Sequence, residues 1–300
     1  MSGSRTAAFA APRSLDFIKR QRPRISFCGF PCEIVIAGYN GRERNGMQKS
    51  FDDLTIADDF MFCKVMQNKE LCKIFLEMIL ADKIGKIAHL STQYNITTYE
   101  EAKSVRFDVL VQNRIGKIYD IEMQVSDEHN LPKRMRFYQA AIDISVLDKG
   151  NSYSKLNDSF VIFICLFDAP GKGKPIYSFE NICLEDRQTL LHDGAKKIII
   201  NSAAFNKIED KSLSGLLEYI KTGKATTEFT GRLDDMIRTV KDNEQARNEY
   251  RIMSATMMDA RDEGERRKAL EDAKNFKRLG VSVDIITRAT GLAREEVEKL

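Results

Sequence analysis

Residues 106–124 read RFDVLVQNRIGKIYDIEMQ. Two β-branched, apolar runs flank NRIGK, and Gly116 suits a turn, so the stretch predicts a β-hairpin. With Ile115 and Gly116 near the turn's centre, paired positions sum to 230 or 231, and Asp108 with Glu122 satisfies the first. The two acids are then opposite or one step apart. Alternation puts Phe107, Val109 and Val111 with Tyr119, Ile121, Met123 and Val125 on one apolar face. Arg106, Asp108, Asp120, Glu122 and Gln124 share the other face, interrupted by Leu110 and Ile118. Like charges facing one another on a sheet cost a few tenths to about 1 kcal/mol per pair. Water relieves that cost if the face is wet, and a divalent cation reverses its sign. Mg²⁺ takes one or two carboxylates plus waters, which Asp108 and Glu122 can supply, and the Met123 carbonyl offers a further oxygen.

Around the hairpin the chain has 300 residues, 43% hydrophobic and 30% charged, the composition of an ordinary globular protein. No apolar run approaches the roughly 18–20 residues that span a bilayer. The longest, FVIFICLF at 160–167, suits a buried strand. No secretory signal is evident, and the six cysteines (28, 32, 63, 72, 165 and 183) form neither a CxxC pair nor a disulfide framework. A reducing cytoplasm is the expectation. The net charge of +3 hides an asymmetry: residues 1–50 hold nine Lys and Arg against three acids. The remainder is near −3, so a nucleic-acid surface has to be local.

Three regions follow from composition and periodicity. Residues 1–47 form a basic extension rich in Arg, Ser, Gly and Pro, with a natural start of translation expected at Met47. Residues 48–208 alternate between elements. DDFMFCKVMQNKELCKIFLEMILA at 58–81 carries a helical stripe capped by Asp58 or Asp59. A strand over 84–97 and the hairpin follow. A helix then opens at Pro132 and ends near Gly150. Further strands are read in DSFVIFICLFD, PIYSFENICLE and AKKIIIN. From 209 to 300 everything reads as helix, densely charged over 242–279. The predicted class is α/β (α+β): a mixed central sheet flanked by helices, with a helical C-terminal arm.

Asp, about fourteen residues, then Glu-x-Gln on the next strand resembles the core of the PD-(D/E)XK nucleases. Gln124 stands where Lys is usual. DDLTIADDFMFCKVM before it, RMRFYQAAID, FVIFICLFD and GVSVDIITRATGLAREEVEKL after it extend the likeness over roughly residues 48–300. Together these resemble the Rpn family of recombination-promoting nucleases, the PD-(D/E)XK nuclease family transposases. The resemblance implies a restriction-endonuclease-like core and a metal-dependent DNA endonuclease linked to recombination or mobile elements. It implies that Asp108 and Glu122 hold Mg²⁺ or Mn²⁺, and that Gln124 positions the attacking water or scissile phosphate. Asp59 or Asp58 is the acid of the first helix. Arg134 and Tyr138, with Lys133 beside them, contact DNA phosphate. Gln124 carries no charge and acts only through hydrogen bonds, so a slow enzyme is consistent with it. The same feature keeps a rival reading open, a decayed nucleic-acid-binding or assembly module. A third reading is a protein–protein scaffold on the charged helices.

Other signals are plainer. GKGKP at 171–175 lacks phosphate-loop spacing and reads as a turn. His89, His129 and His192 share no ligand spacing, and Cys28 with Cys32 is a lone CxxxC. VSVDIITRATGLAREEVEKL reads as two short helices, capped at Ser282 and ended at Gly291. Ile285, Ile286, Leu292, Val297 and Leu300 form its apolar contact set. Such a hairpin either reads DNA as half of a helix-turn-helix or serves packing and homo-oligomer formation.

Overall fold

The computed structural model describes residues 49–96 and 104–300. The N-terminal extension, the start at Met47 and the Cys28–Cys32 spacing lie outside the described residues. By their contacts the described residues form two compact units, 49–243 and 244–300.

The first unit carries a six-stranded sheet. Its strands are β1 (Ile87–Ile96), β2 (Val105–Asn113), β3 (Ile118–Gln124), β4 (Ser159–Cys165), β5 (Ile176–Phe179) and β6 (Ala195–Asn201), in the order β1-β2-β3-β4-β6-β5. β1, β2 and β3 are antiparallel neighbours, whereas β4 runs parallel to β3 and β6 parallel to β4. β5 returns antiparallel at the edge. A parallel step needs a crossover, and a helix between β3 and β4 supplies it. The mixed sheet with flanking helices expected from the sequence is the observed architecture.

The helix assignments need two corrections. The single helix read over 58–81 is two, α1 (Asp59–Met66) and α2 (Lys69–Leu80). Asn68 makes the break: its side chain accepts the N–H groups of Glu70 (3.1 Å) and Leu71 (3.2 Å), satisfying donors that a new helix start leaves open. The crossover helix α3 (Leu131–Val146) opens with Pro132 in its first turn but stops four residues short of Gly150. α4 (Lys211–Thr222) and α5 (Glu228–Lys241) pack against α2 and α1 within the first unit.

α3 covers one face of the sheet. Its Met135, Tyr138, Ala141 and Ile142 pack on Leu110, Ile118, Val161, Phe163 and Ile199. A fully buried Phe or Ile here contributes about 1.5–3 kcal/mol. Val161 to Cys165 are all buried, as the run of β-branched and aromatic residues led one to expect. GKGKP is a turn wrapped on Asp168, which accepts the N–H groups of Gly171 and Gly173 and the Tyr177 hydroxyl.

The second unit is α6 (Glu244–Arg278), α7 (Val283–Thr290) and α8 (Arg294–Lys299). The two short helices pack on the end of α6 through Ala273, Ile286, Leu292 and Val297, with Leu300 alongside. Lys277 Nζ donates to the carbonyls of Val297 (3.2 Å) and Glu298 (2.8 Å), holding the last turn. Ile285 is not part of this contact set; it is 58% exposed. Among the described residues no helix is long and apolar enough to cross a membrane.

Candidate active site

Asn113 and Lys117 close the hairpin. The Asn113 N–H donates to the Lys117 carbonyl at 3.0 Å, and Gly116 takes φ +92° in the turn between them. That turn fixes the register: Val109 pairs with Ile121 and Leu110 with Asp120, so Asp108 stands opposite Glu122. The two acids are tied to each other's strands. The Asp108 N–H donates to Glu122 Oε1 at 2.9 Å, and the Met123 N–H donates to Asp108 Oδ2 at 3.3 Å. Asp108, Asp120, Glu122 and Gln124 are all buried.

Strict alternation fails at this point. Val105 and Phe107 lie in the same core cluster as Leu110 and Ile118, so β2 changes sides across Asp108. The β1–β2 pairing resumes on either side, at Thr92 with Val109 and Tyr94 with Phe107. Gln93, between those β1 positions, has φ +52°. The pairing keeps one register on both sides, so no residue is inserted at this point.

Electrostatics follow from this crowding. Burial pushes the Asp108 carboxyl well above the usual carboxylate range, and Glu122 and Asp59 add to the rise. Burial, then Asp120, does the same to Glu122, against the pull of Arg134. Asp120 is raised by burial and then by Asp108. Among the described residues neither Asp120 oxygen has a geometric hydrogen-bond partner. Desolvated carboxylates without donors favour either a proton or a cation.

Arg134, from the first turns of α3, sits over this group. Its Nη2 donates to Glu122 Oε2 at 2.9 Å and its Nη1 to Gln124 Oε1 at 2.7 Å. Nε (3.1 Å) and Nη2 (3.0 Å) both reach the Tyr138 hydroxyl, which donates in turn to the Arg106 carbonyl at 3.4 Å. The guanidinium also lies over the rings of Phe163 (5.0 Å) and Tyr138 (5.1 Å). Tyr138 is therefore both a core residue and a member of the polar network. Gln124 is held at its other end too, its Nε2 donating to the Ser126 carbonyl at 2.7 Å.

The two candidate acids of α1 separate clearly. Asp58 turns away, accepting from the Thr55 N–H (2.8 Å), the Thr55 hydroxyl (3.0 Å) and Lys49 (2.8 Å). Asp59 faces Arg106, with 4.0 Å between Oδ2 and Nη2. It also lies close enough to raise the carboxyls of Asp108 and Glu122. Cys63, one turn further along α1, donates its thiol to the Asp108 carbonyl at 3.3 Å. Lys133 is exposed on α3, and His129 bonds Asp127 in an exposed loop. Sequence reasoning gave Arg106 no role. Its signal was the i, i+2 spacing to Asp108 on one strand.

The donor set suits a hard divalent cation: the carboxylate oxygens of Asp108 and Glu122, in a buried setting. Among the described residues no three His, Cys, Asp or Glu side chains form a ready-made cage. A cation here would therefore draw on two carboxylates, with water and phosphate completing its shell.

Comparison with curated proteins and with solved structures returned no match. A family model described as PD-(D/E)XK nuclease family transposase matches residues 57–279, a span that holds every residue of the polar cluster. The chain belongs to the PD-(D/E)XK nuclease family transposases.

Proposed function

We propose that this protein is a divalent-metal-dependent DNA endonuclease acting in transposition or recombination. The observation that carries the reading is the meeting of Asp108 and Glu122 across β2 and β3, each buried, each bonded to the other's strand. Asp108 and Glu122 hold Mg²⁺ or Mn²⁺, with Asp59 as an outer acid. When bound, the ion supplies a lowered water pKa and relief of charge developing on the phosphate. Gln124 orients the attacking water or the phosphate through what remains of its amide after Ser126 and Arg134 are served. Lys133 on the exposed side of α3 contacts the DNA backbone beyond the site.

Supercoiled plasmid with Mg²⁺, Mn²⁺ or EDTA tests this. Expected is metal-dependent nicking by the wild type, reduced on the order of 100-fold or more in Asp108→Ala and Glu122→Ala. Metal-independent nicking, or nicking unchanged in both variants, overturns it. A second reading, a decayed DNA-binding module, rests on Gln124, whose amide is engaged at both ends. DNA binding without nicking by the wild type in any metal would favour it.

A further inference from the structure

Two arginines flank the acids, and their hydrogen bonding differs. Arg134 has spent four of its five N–H groups on Glu122, Gln124 and Tyr138. It also lies over two rings. Moving it to a phosphate would leave the buried Glu122 carboxylate without its counter-ion. Arg106 is the opposite case. Among the described residues its guanidinium makes no hydrogen bond, and its ion pair with Asp59 spans 4.0 Å, beyond hydrogen-bond reach. Its backbone is nonetheless fixed, because the Tyr138 hydroxyl holds the Arg106 carbonyl. The strand thus delivers Arg106 two residues from Asp108, on the flank where Asp59 also lies.

We infer that Arg106 is the side chain that grips the scissile phosphate, and that Arg134 is a positioning residue that holds Glu122, Gln124 and Tyr138 in place. This rests on the nuclease reading and reassigns the phosphate contact within it. A guanidinium with unspent donors matches a phosphate in two parallel bonds; one already committed to a carboxylate and an amide does not. Asp59 then acts as a loose keeper, orienting Arg106 without saturating it.

Fluorescence anisotropy on a duplex oligonucleotide in EDTA, over a salt series, separates the two roles, with thermal unfolding as the companion measurement. Arg106→Gln is expected to weaken binding about tenfold and to lower the salt slope by about one, with an unchanged Tm. Arg106→Lys keeps the charge and is expected to restore most of the slope. Arg134→Gln is expected to lower Tm while leaving the slope near that of the wild type. Wild-type affinity and slope in Arg106→Gln overturns the inference. So does a reduced slope at unchanged Tm in Arg134→Gln. If the wild type nicks plasmid and Arg106→Gln binds as well as it does, this assignment alone fails. If the wild type neither binds nor nicks, the nuclease reading fails with it.

Discussion

Glu122 accepts the Asp108 amide hydrogen at 2.9 Å on one oxygen and the Arg134 guanidinium at 2.9 Å on the other. Among the described residues no such cation is bonded to the Asp108 carboxylate; it accepts from the Met123 N–H. The two acids of the pair are therefore unequal in what they do for the fold. Glu122→Gln removes the charge that Arg134 answers and turns an N–H toward the site. It is expected to destabilise the protein by about 3 kcal/mol. Asp108→Asn relieves like-charge crowding with Glu122 and Asp59 and is expected to unfold at the wild-type urea midpoint or above it in EDTA. Urea melts giving the reverse order would contradict this division.

Stability should also fall with rising pH when no cation is present. Asp108, Asp120 and Glu122 are all raised well above the usual carboxylate range, burial being the first cause in each. In the unfolded chain such groups ionise near pH 4. Above that, the folded chain binds more protons than the unfolded one, so stability drains away as pH climbs towards the folded values. A cation replaces those protons, so metal affinity rises with pH. Melting in EDTA between about pH 5 and about pH 8 is expected to show a declining Tm, shallower in Asp108→Asn and shallower with Mn²⁺. A Tm that climbs over that window would run against the account.

Placing a lysine at position 124 is expected to do harm. Arg134 Nη1 lies 2.7 Å from Gln124 Oε1, so Gln124→Lys sets an ammonium against a guanidinium in a buried site. Lower Tm and no gain in nicking are expected. In a double-mutant cycle with Arg134→Gln, the two changes should together cost less than their separate effects summed. Simple additivity would mean that the two side chains are not coupled.

The break between α1 and α2 offers a test away from the chemistry. Asn68→Ala removes the acceptor for the Glu70 and Leu71 N–H groups and should cost about 1 kcal/mol in chemical denaturation. No measurable change would mean that water replaces the cap without loss.

The hairpin register was legible to within one step because turn length limits it: NRIGK left sums of 230 or 231, and Val109 opposite Ile121 is the first. The sheet's class was legible from the apolar run that became β4, buried on both faces at the sheet's centre. The side-switch at Asp108 was not, because nothing in the residue types of β2 marks it; the positive φ at Gln93 lies in a different strand. Asp58 and Asp59 could not be separated by type or spacing; a turn at Thr55 claims the first and leaves the second facing Arg106. Asn68 carried a readable cap signal, masked by an apolar stripe that runs through it in near-continuous phase. Arg134 was found by its place in RMRFY, but its internal partners come from β3 and from α3 itself. No spacing rule reveals that they take four of its five donors.

Calorimetric titration of Mn²⁺ into the apo-protein, without DNA, tests most directly whether two strands bring their acids together to grip one ion. Expected is saturable binding of about one ion per chain, abolished in Asp108→Asn and in Glu122→Gln while both variants remain folded. Heats of binding identical to those of the wild type in both variants would show that the ion, if any, sits elsewhere.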